Sequence, residues 1–365
     1  IIMQELTIDG SLLEGGGQIV RLAVALSSII SKPIKVVNIR SNRPNPGLKL
    51  QHLVAMKLAT NITDAYTKNI YLGSEKILFS PKTINSGKYS VKIESAGSTN
   101  LVLQTLMPIL MFSNNQSHIA LEGGTNNPWA PTTEFMKELL FPTLKKMGFN
   151  SEIMLNRRGF YPSGKGSVKT VLNPVNSLKP LNATSWQNIR NIRCFVYSCR
   201  LPSKIVNNLS KIVETRLLKK GLHNIKINVQ SLQPTDSLCS VDPGIGISLF
   251  ADVDEFVISE TIIGRKGLSF EKIGKEVVDK LTKQLESQSP IDKYLGDQII
   301  LYIALAKGRS KIKISEFTLH TKTCIEITEK FLGVDFEIDG KIGESATITC
   351  DGIGYSNKFT KYDIS

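Results

Sequence analysis

One order of elements recurs three times along the chain, and it limits the fold more than any other feature of the sequence. A Gly-rich or polar turn opens a helix, a strand follows, and a loop or strand end leads into a second helix. In the first occurrence EGGG (14–17) opens QIVRLAVALSSII, the strand KPIKVVNIR comes next, and the loop NRPNPG leads to LQHLVAMKLAT. The second occurrence runs SAGST, NLVLQTLMPILMF, SHIALEGG, TNNPWAP and TTEFMKELLFPTLKKMG. The third runs YLGD, QIILYIALAKG, SKIKISEFT and LHTKTCIEITEKFLG. Each closes in β-like segments, YSVKIES and ATITCDG among them. Alternating helical periodicity and β-rich runs point to an α/β or α+β chain and away from an all-β or bundle fold. The recurring order predicts a structural triplication.

Between the second and third units, about one hundred residues from Asn182 to Ser289 have a different texture. Polar, Pro-containing sequence (NPVNSLKPLNATSW) gives way to the strand IRCFVYSCR, the helix KIVNNLSKIVETRLLKKG, the strand HNIKINVQ, then GISLFADV and the helix EKIGKEVVDKLTKQLES. This predicts a small α/β domain at 184–286, inserted into a discontinuous large domain of three repeats at 1–183 and 287–365. A length of 365 residues is compatible with that division.

Charge adds a partner without naming it. Lys and Arg number 45 against 32 Asp and Glu, a net +13 that the folded chain must expose. That excess suits an anionic partner or serves solubility alone; the runs KK and RR are short, and there is no basic tail. The five Cys (194, 199, 239, 324, 350) form no CxxC pair, so neither a zinc site nor a disulfide framework is expected. The expected setting is therefore reducing and intracellular, nucleus or cytoplasm. IIMQELTIDG has no signal-peptide pattern, and LVLQTLMPILMF is far shorter than the roughly 20 apolar residues that span a bilayer, so a soluble chain with no membrane partner is expected.

Four segments have the residue types of a phosphate-handling site. In EGGGQIVR, three glycines let backbone approach a ligand, and the helix start offers free N–H groups and partial positive charge. Glu14 there can hold a divalent cation and Arg21 can reach a phosphate oxygen; the alternative is a tight turn that binds nothing. In IRSNRPNPGLKLQH, Arg40 and Arg43 precede a Pro/Gly loop with Gln51 and His52 beyond it, a cradle for polyphosphate or an RNA end, or else surface charge. YLGDQ brings Tyr294, Asp297 and Gln298 for stacking and hydrogen bonds or metal, or is a helix start with Asp297 as its cap. His320, in FTLHTKT, stands where a strand hands over to a helix; it is a cap, a core group, or a base or nucleophile with a reference pKa of about 6.5. GFYPSGK at 159–165 meets GxxxxGK, but SVKTVL after it reads as a strand where a phosphate loop needs a helix. RRGFYPSGKGS is instead a hairpin turn with Arg157, Arg158 and Lys165 at its edges, solvated or near a nucleic-acid backbone.

Taken together, EGGGQIVR, IRSNRPNPGLKLQH, SAG, EGGTNNPWAP, RGFYPSGKG, YLGDQ and FTLHTKT resemble the RNA 3'-terminal phosphate cyclases, in the family's order and over nearly the whole chain. The resemblance implies three repeats, each of a four-stranded sheet and two helices, plus a smaller inserted α/β domain. It implies ATP-dependent conversion of an RNA 3'-phosphate end to a 2',3'-cyclic phosphate through histidine-AMP and RNA-(3')pp(5')A, releasing AMP and pyrophosphate with help from Mg2+ or Mn2+. By motif, His320 matches the adenylated histidine. Gln104, Pro131 and the run Tyr294, Leu295, Gly296, Asp297, Gln298 match nucleotide contacts. Glu14 falls beside the metal, while Arg21, Arg40, Arg43, Gln51 and His52 line the phosphate or RNA-end site. Departures are NPW before Ala130 and Pro131, and Lys165 where glycine is more usual. The alternatives are a non-catalytic cyclase-like RNA-binding factor of ribosome assembly, which lacks the histidine, and, on fold analogy alone, an enolpyruvyl transferase.

Overall fold

The computed structural model describes residues 5–359. Its first unit runs β1 (Leu6–Asp9), α1 (Gly17–Ile30), β2 (Ile34–Val37), α2 (Leu50–Thr63), β3 (Tyr66–Lys68) and β4 (Ile77–Ser80). The second runs β5 (Lys88–Lys92), α3 (Thr99–Leu110), β6 (Ser117–Gly123) and a helix built from α4 (Thr133–Phe135), a π-helical stretch Met136–Leu140 and α5 (Phe141–Lys146). The hairpin β7 (Glu152–Arg157) and β8 (Gly166–Leu172) completes it. A short strand β9 (Asn182–Ala183) follows.

Next come β10 (Ile189–Cys199), α6 (Ser203–Lys219), β11 (Ile225–Leu232), β12 (Gly244–Val253), β13 (Phe256–Ile263) and α7 (Phe270–Glu286). The last elements are α8 (Lys293–Leu305), β14 (Lys307–Ile314), α9 (Leu319–Leu332), β15 (Phe336–Asp339) and β16 (Ala346–Ile353).

Topology carries the triplication. Three four-stranded sheets have the orders β1-β2-β4-β3, β5-β6-β8-β7 and β9-β14-β16-β15, one plan used three times. In each, the first pair is parallel and the others antiparallel: β1 with β2, β5 with β6, and β9 with β14 in register Lys311↔Asn182 and Ile312↔Ala183. The fold is mixed α/β as the sequence predicts, with two corrections to the division. YSVKIES forms β5 and opens the second sheet instead of closing the first, because its parallel partner is β6. The interruption falls inside the third unit, not before it, since β9 precedes the interruption and its partner β14 follows it.

The interrupting segment forms a fourth sheet, β11-β10-β12-β13, with α6 and α7 packed together. β13 was not foreseen, although FVISETII has a strand's composition.

Helix α1 is the hub. Nearly its whole circumference is buried, from Ile19 and Val20 to Ile29, as expected of a helix with neighbours all round. Those neighbours are α2, α3 and α9, and α8 packs on α9. α3 and α9 start with side-chain caps, Ser98 Oγ accepting from Leu101 N–H and Thr318 Oγ1 from Thr321 N–H. α1 starts at Gly16 with no side-chain cap. Its first N–H groups therefore stay available at the protein's surface. No helix among the described residues is long and apolar enough to cross a membrane.

Candidate active site

The three glycines ahead of α1 do different things. Gly15 sits at φ +56°, in the left-handed region where a side chain is strained. Gly16 lies under Arg43, whose Nη2 would be 3.5 Å from an added Cβ. At Gly17 an added Cβ would run into the His52 ring. His52 is buried in the first turn of α2, and its Nδ1 accepts the Lys49 N–H at 3.1 Å. Burial first, then the charges of Arg21, Arg40 and Lys49, drive its pKa down to about 3. It is a neutral ring with its proton on Nε2.

Beside this turn lies His320, in the first turn of α9. Gln18 of α1 grips it twice, with Oε1 2.5 Å from Nδ1 and Nε2 donating to the His320 carbonyl at 3.1 Å. The same amide nitrogen donates to Cys324 Sγ at 2.6 Å, so the oxygen of Gln18 is the atom left for the ring. Nδ1 is then a protonated nitrogen, and in the neutral ring the lone pair is on Nε2, which is free only when the neighbouring Glu14 carboxylate turns away. Glu14 Oε2 stands 3.0 Å from Nε2, and Arg43 Nη2 stands 3.5 Å from that same oxygen. The His320 pKa is lowered, by burial first and by Arg21 and Arg43; Glu14 opposes them.

From His320 a cavity of about 520 Å3 opens between α1, α3, the 127–132 loop, β13, α7 and α8. Arg21, Gln104, Pro131, Tyr294, Asp297, Gln298 and His320 all line it. Arg21 and Asp297 act on each other inside it. Burial lowers the guanidinium to about 10 against the pull of Asp297, and raises the Asp297 carboxyl to about 8 against the pull of Arg21.

Other predicted residues are placed differently. Leu295 is core, and Gly296 packs on Ile314, so neither faces the cavity. Asp297 does not cap α8; Asp292 does, accepting from Tyr294 N–H and Leu295 N–H, which moves the helix start five residues earlier. Arg40 Nη1 donates to the carbonyls of Asn45 and Gly47, holding its own loop. Gln51 Oε1 accepts the Ser98 N–H, tying α2 to the start of α3. Of the hairpin cations, Arg157 is tied to the Lys165 carbonyl. Arg158 is neither solvated nor at an edge. It is 5% exposed, 2.5 Å from Glu134 Oε1, with its guanidinium 3.6 Å from the centre of the Tyr197 ring.

Several lining residues were not foreseen. Gln18 is inside a motif already singled out, but only packing of α1 on α9 reveals its partner. Glu260, Thr261, Arg265 and Lys280 come from the interrupting segment, whose position no local pattern specifies. Asn127 and Trp129 stand in the TNNPWAP loop, Trp129 90% exposed and at φ +62°.

The cavity suits a nucleotide. Its volume lies in the range of about 300–1,000 Å3 typical of small-molecule sites. Two buried acceptors on lining residues, Asn127 Oδ1 and Gln298 Oε1, have no hydrogen-bond partner of their own. A cation is a different matter. No cluster of three His, Cys, Asp or Glu side chains exists among the described residues. Glu14 is one carboxylate at the cavity mouth, enough for an ion that takes most of its ligands from phosphates and water.

The profile of the RNA 3'-terminal phosphate cyclases matches residues 12–338. A protein named RNA 3'-terminal phosphate cyclase from Desulfurococcus amylolyticus is 37% identical over 97% of this chain and 99% of its own length. One of the same name from Pyrobaculum aerophilum is 38% identical over 96% and 99%, and one from Methanosarcina acetivorans 37% over 92% and 97%. Among solved structures, the enolpyruvyl transferase NikO from Streptomyces tendae aligns with a TM-score of 0.27 and 10% identity, too faint a likeness to carry an argument. With matches of this length and identity, the chain belongs to the RNA 3'-terminal phosphate cyclase family of enzymes.

Proposed function

We propose that the chain uses ATP to convert an RNA 3'-phosphate end into a 2',3'-cyclic phosphate, and that His320 carries AMP on the way. The observation that carries this is the hold on the His320 ring: Gln18 takes Nδ1, so in the neutral ring Nε2 is the nitrogen with the lone pair at the rim of a nucleotide-sized cavity once Glu14 turns aside. Nε2 attacks the α-phosphorus of ATP, and the bond to pyrophosphate breaks. Glu14 must turn from Nε2 for that attack, and Arg43 is close enough to receive it. A nucleotide's phosphates come to lie near the uncapped start of α1, with Arg21 and Arg43 to neutralise the leaving charge. Glu14 would hold a divalent cation, which would supply further charge neutralisation for a nucleotide's phosphates.

An oxygen of the RNA 3'-phosphate then attacks the AMP phosphorus and frees Nε2, giving RNA-(3')pp(5')A. Finally the neighbouring 2'-OH attacks the 3'-phosphorus, loses its proton and expels AMP. Holding both ends on one ribose makes the last step intramolecular.

Incubation with α-labelled ATP and Mg2+ tests the first step. Acid-labile label should appear on the protein and vanish in His320→Ala. Undiminished label in that variant removes His320 as nucleophile, and RNA binding with no AMP release under any divalent ion favours a non-catalytic RNA-binding factor.

A further inference from the structure

Tyr294 lines the cavity while its hydroxyl is sunk in a polar network that belongs to the interrupting segment. The hydroxyl donates to Glu260 Oε1 of β13 at 2.7 Å, and Gln284 Nε2 of α7 donates to Glu260 Oε2 at 3.1 Å. Glu260 is 1% exposed, so both contacts are made away from water. The network continues around the start of α8. Asp292 Oδ2 accepts from Ser259 N–H and Oγ–H at 2.9 and 2.7 Å, and Gln284 Oε1 accepts from Lys293 N–H at 3.2 Å and Ser315 Oγ–H at 2.7 Å. The first turn of α8, which carries Tyr294 towards the cavity, is therefore bolted to β13 and α7 and not only to its own repeat.

A buried carboxylate is costly to keep where hydrophobic packing would serve, and it persists where it fixes a geometry. Burial raises the Glu260 carboxyl to about 7, while Lys293 and Tyr294 of α8 and Lys280 of α7 pull it down and Asp292 pushes it up. What the pair fixes is the ring of Tyr294, a residue with one hydroxyl and two side-chain torsions.

Building on the nucleotide site proposed above, we infer that the interrupting segment serves ATP binding: Glu260 is a positioning residue that holds the Tyr294 ring in place for the nucleotide base. The segment's role is then to complete the nucleotide pocket, apart from any contact with RNA.

The test measures protein adenylation and cyclisation with the full chain, titrating ATP and RNA separately. Glu260→Leu removes the acceptor and Tyr294→Phe removes only the donor. Each should raise the KM for ATP about three- to tenfold, the worth of one buried hydrogen bond, and leave kcat at saturating ATP and the KM for RNA within about twofold. The double variant should be no worse than either single one, because the two act through one bond. Glu260→Gln keeps an acceptor and should restore the KM for ATP. Additive effects, or equal losses on ATP and RNA, overturn the assignment. If Glu260→Leu does not fold, an unchanged KM for ATP in Tyr294→Phe overturns it alone. Wild-type chain that takes no label at all rejects the underlying nucleotide site, whereas normal labelling with unchanged KM values rejects only the tether.

Discussion

Gly17 and His52 show how one missing Cβ organises the site. The His52 ring occupies the space a Cβ at Gly17 would need, and its burial makes it neutral and fixed. Gly17→Ala should cost about 1–3 kcal/mol in urea unfolding, as overpacking does, outweighing any gain in helix propensity. The double variant Gly17→Ala with His52→Ala should recover part of it. No loss in the single variant would mean that the ring relaxes freely. Sequence motifs marked both residues, yet assigned His52 to the ligand side, since a motif records proximity in the chain and not which atom faces which. His320 stood out in the sequence because histidine is scarce and the strand-to-helix handover is local, while the role proposed for it came from the family resemblance. Its orientation was not, because the oxygen that fixes its tautomer is on Gln18, a helix distant in sequence.

Elements meet across the interrupting segment through charged side chains more than through strand pairing. Arg158, after β7, reaches Glu134 of α4 and Gln230 of β11 and covers the Tyr197 ring of β10. Arg193 of β10 joins Glu138 to Asp252 of β12 at 2.5 and 2.9 Å. Removing one partner of a buried pair strands the other, so Arg158→Ala should cost about 3–5 kcal/mol by chemical denaturation. Arg158→Met with Glu134→Leu should cost much less, and equal losses in the two would show that packing, not the stranded charge, dominates.

At the α8 seam the sign of the pH effect is fixed by burial. The Glu260 pKa rises from 4.5 unfolded to about 7 folded, so its contribution to stability is complete below about 4.5 and is lost as pH climbs to about 7. Asp297, raised from 3.8 to about 8, acts with the same sign over a wider window. Glu260→Gln should therefore flatten the decline of Tm between pH 5 and 7.5 relative to wild type; parallel curves would contradict a buried, ionising Glu260. None of this was legible in EKIGKEVVDKLTKQLES or FVISETII, whose local patterns state helix or strand and nothing about the face across the seam. The same limit moved the α8 start: Asp297 looked like a cap because it preceded an apolar run, while the capping side chain, Asp292, preceded a polar turn.

The molecule as a whole repeats one βαβαββ plan three times, and this was the most legible feature because self-similarity survives without knowledge of contacts. The order of turn, helix, strand and second helix was visible, but each unit's opening strand was not recognised as such, since β1 and β5 stand across a loop from the helices that follow and β9 stands across the whole interrupting segment from α8. That gap is why the interruption was taken to precede the third unit when it splits it. Arg21 lines the cavity and Arg43 stands beside Glu14 near it, while Arg158 and Arg193 are matched by carboxylates at the seam and serve cohesion, so they contribute nothing to the excess of +13.

The split third unit also affects the order in which the chain can assemble. In the second unit the join between opening strand and partner closes a span of 30 residues, Gly87 to Ser117; in the third, Leu181 meets Ser310 across 129. About two doublings of loop length add roughly 1.2 kcal/mol of closure entropy if the intervening chain is still disordered. A segment that has already folded returns the chain close to where it left and shortens the effective loop, so the third sheet closes most readily last. During synthesis β9 therefore waits, unpaired, until more than a hundred later residues have left the ribosome, and the third unit is the one most dependent on the rest of the chain for its completion.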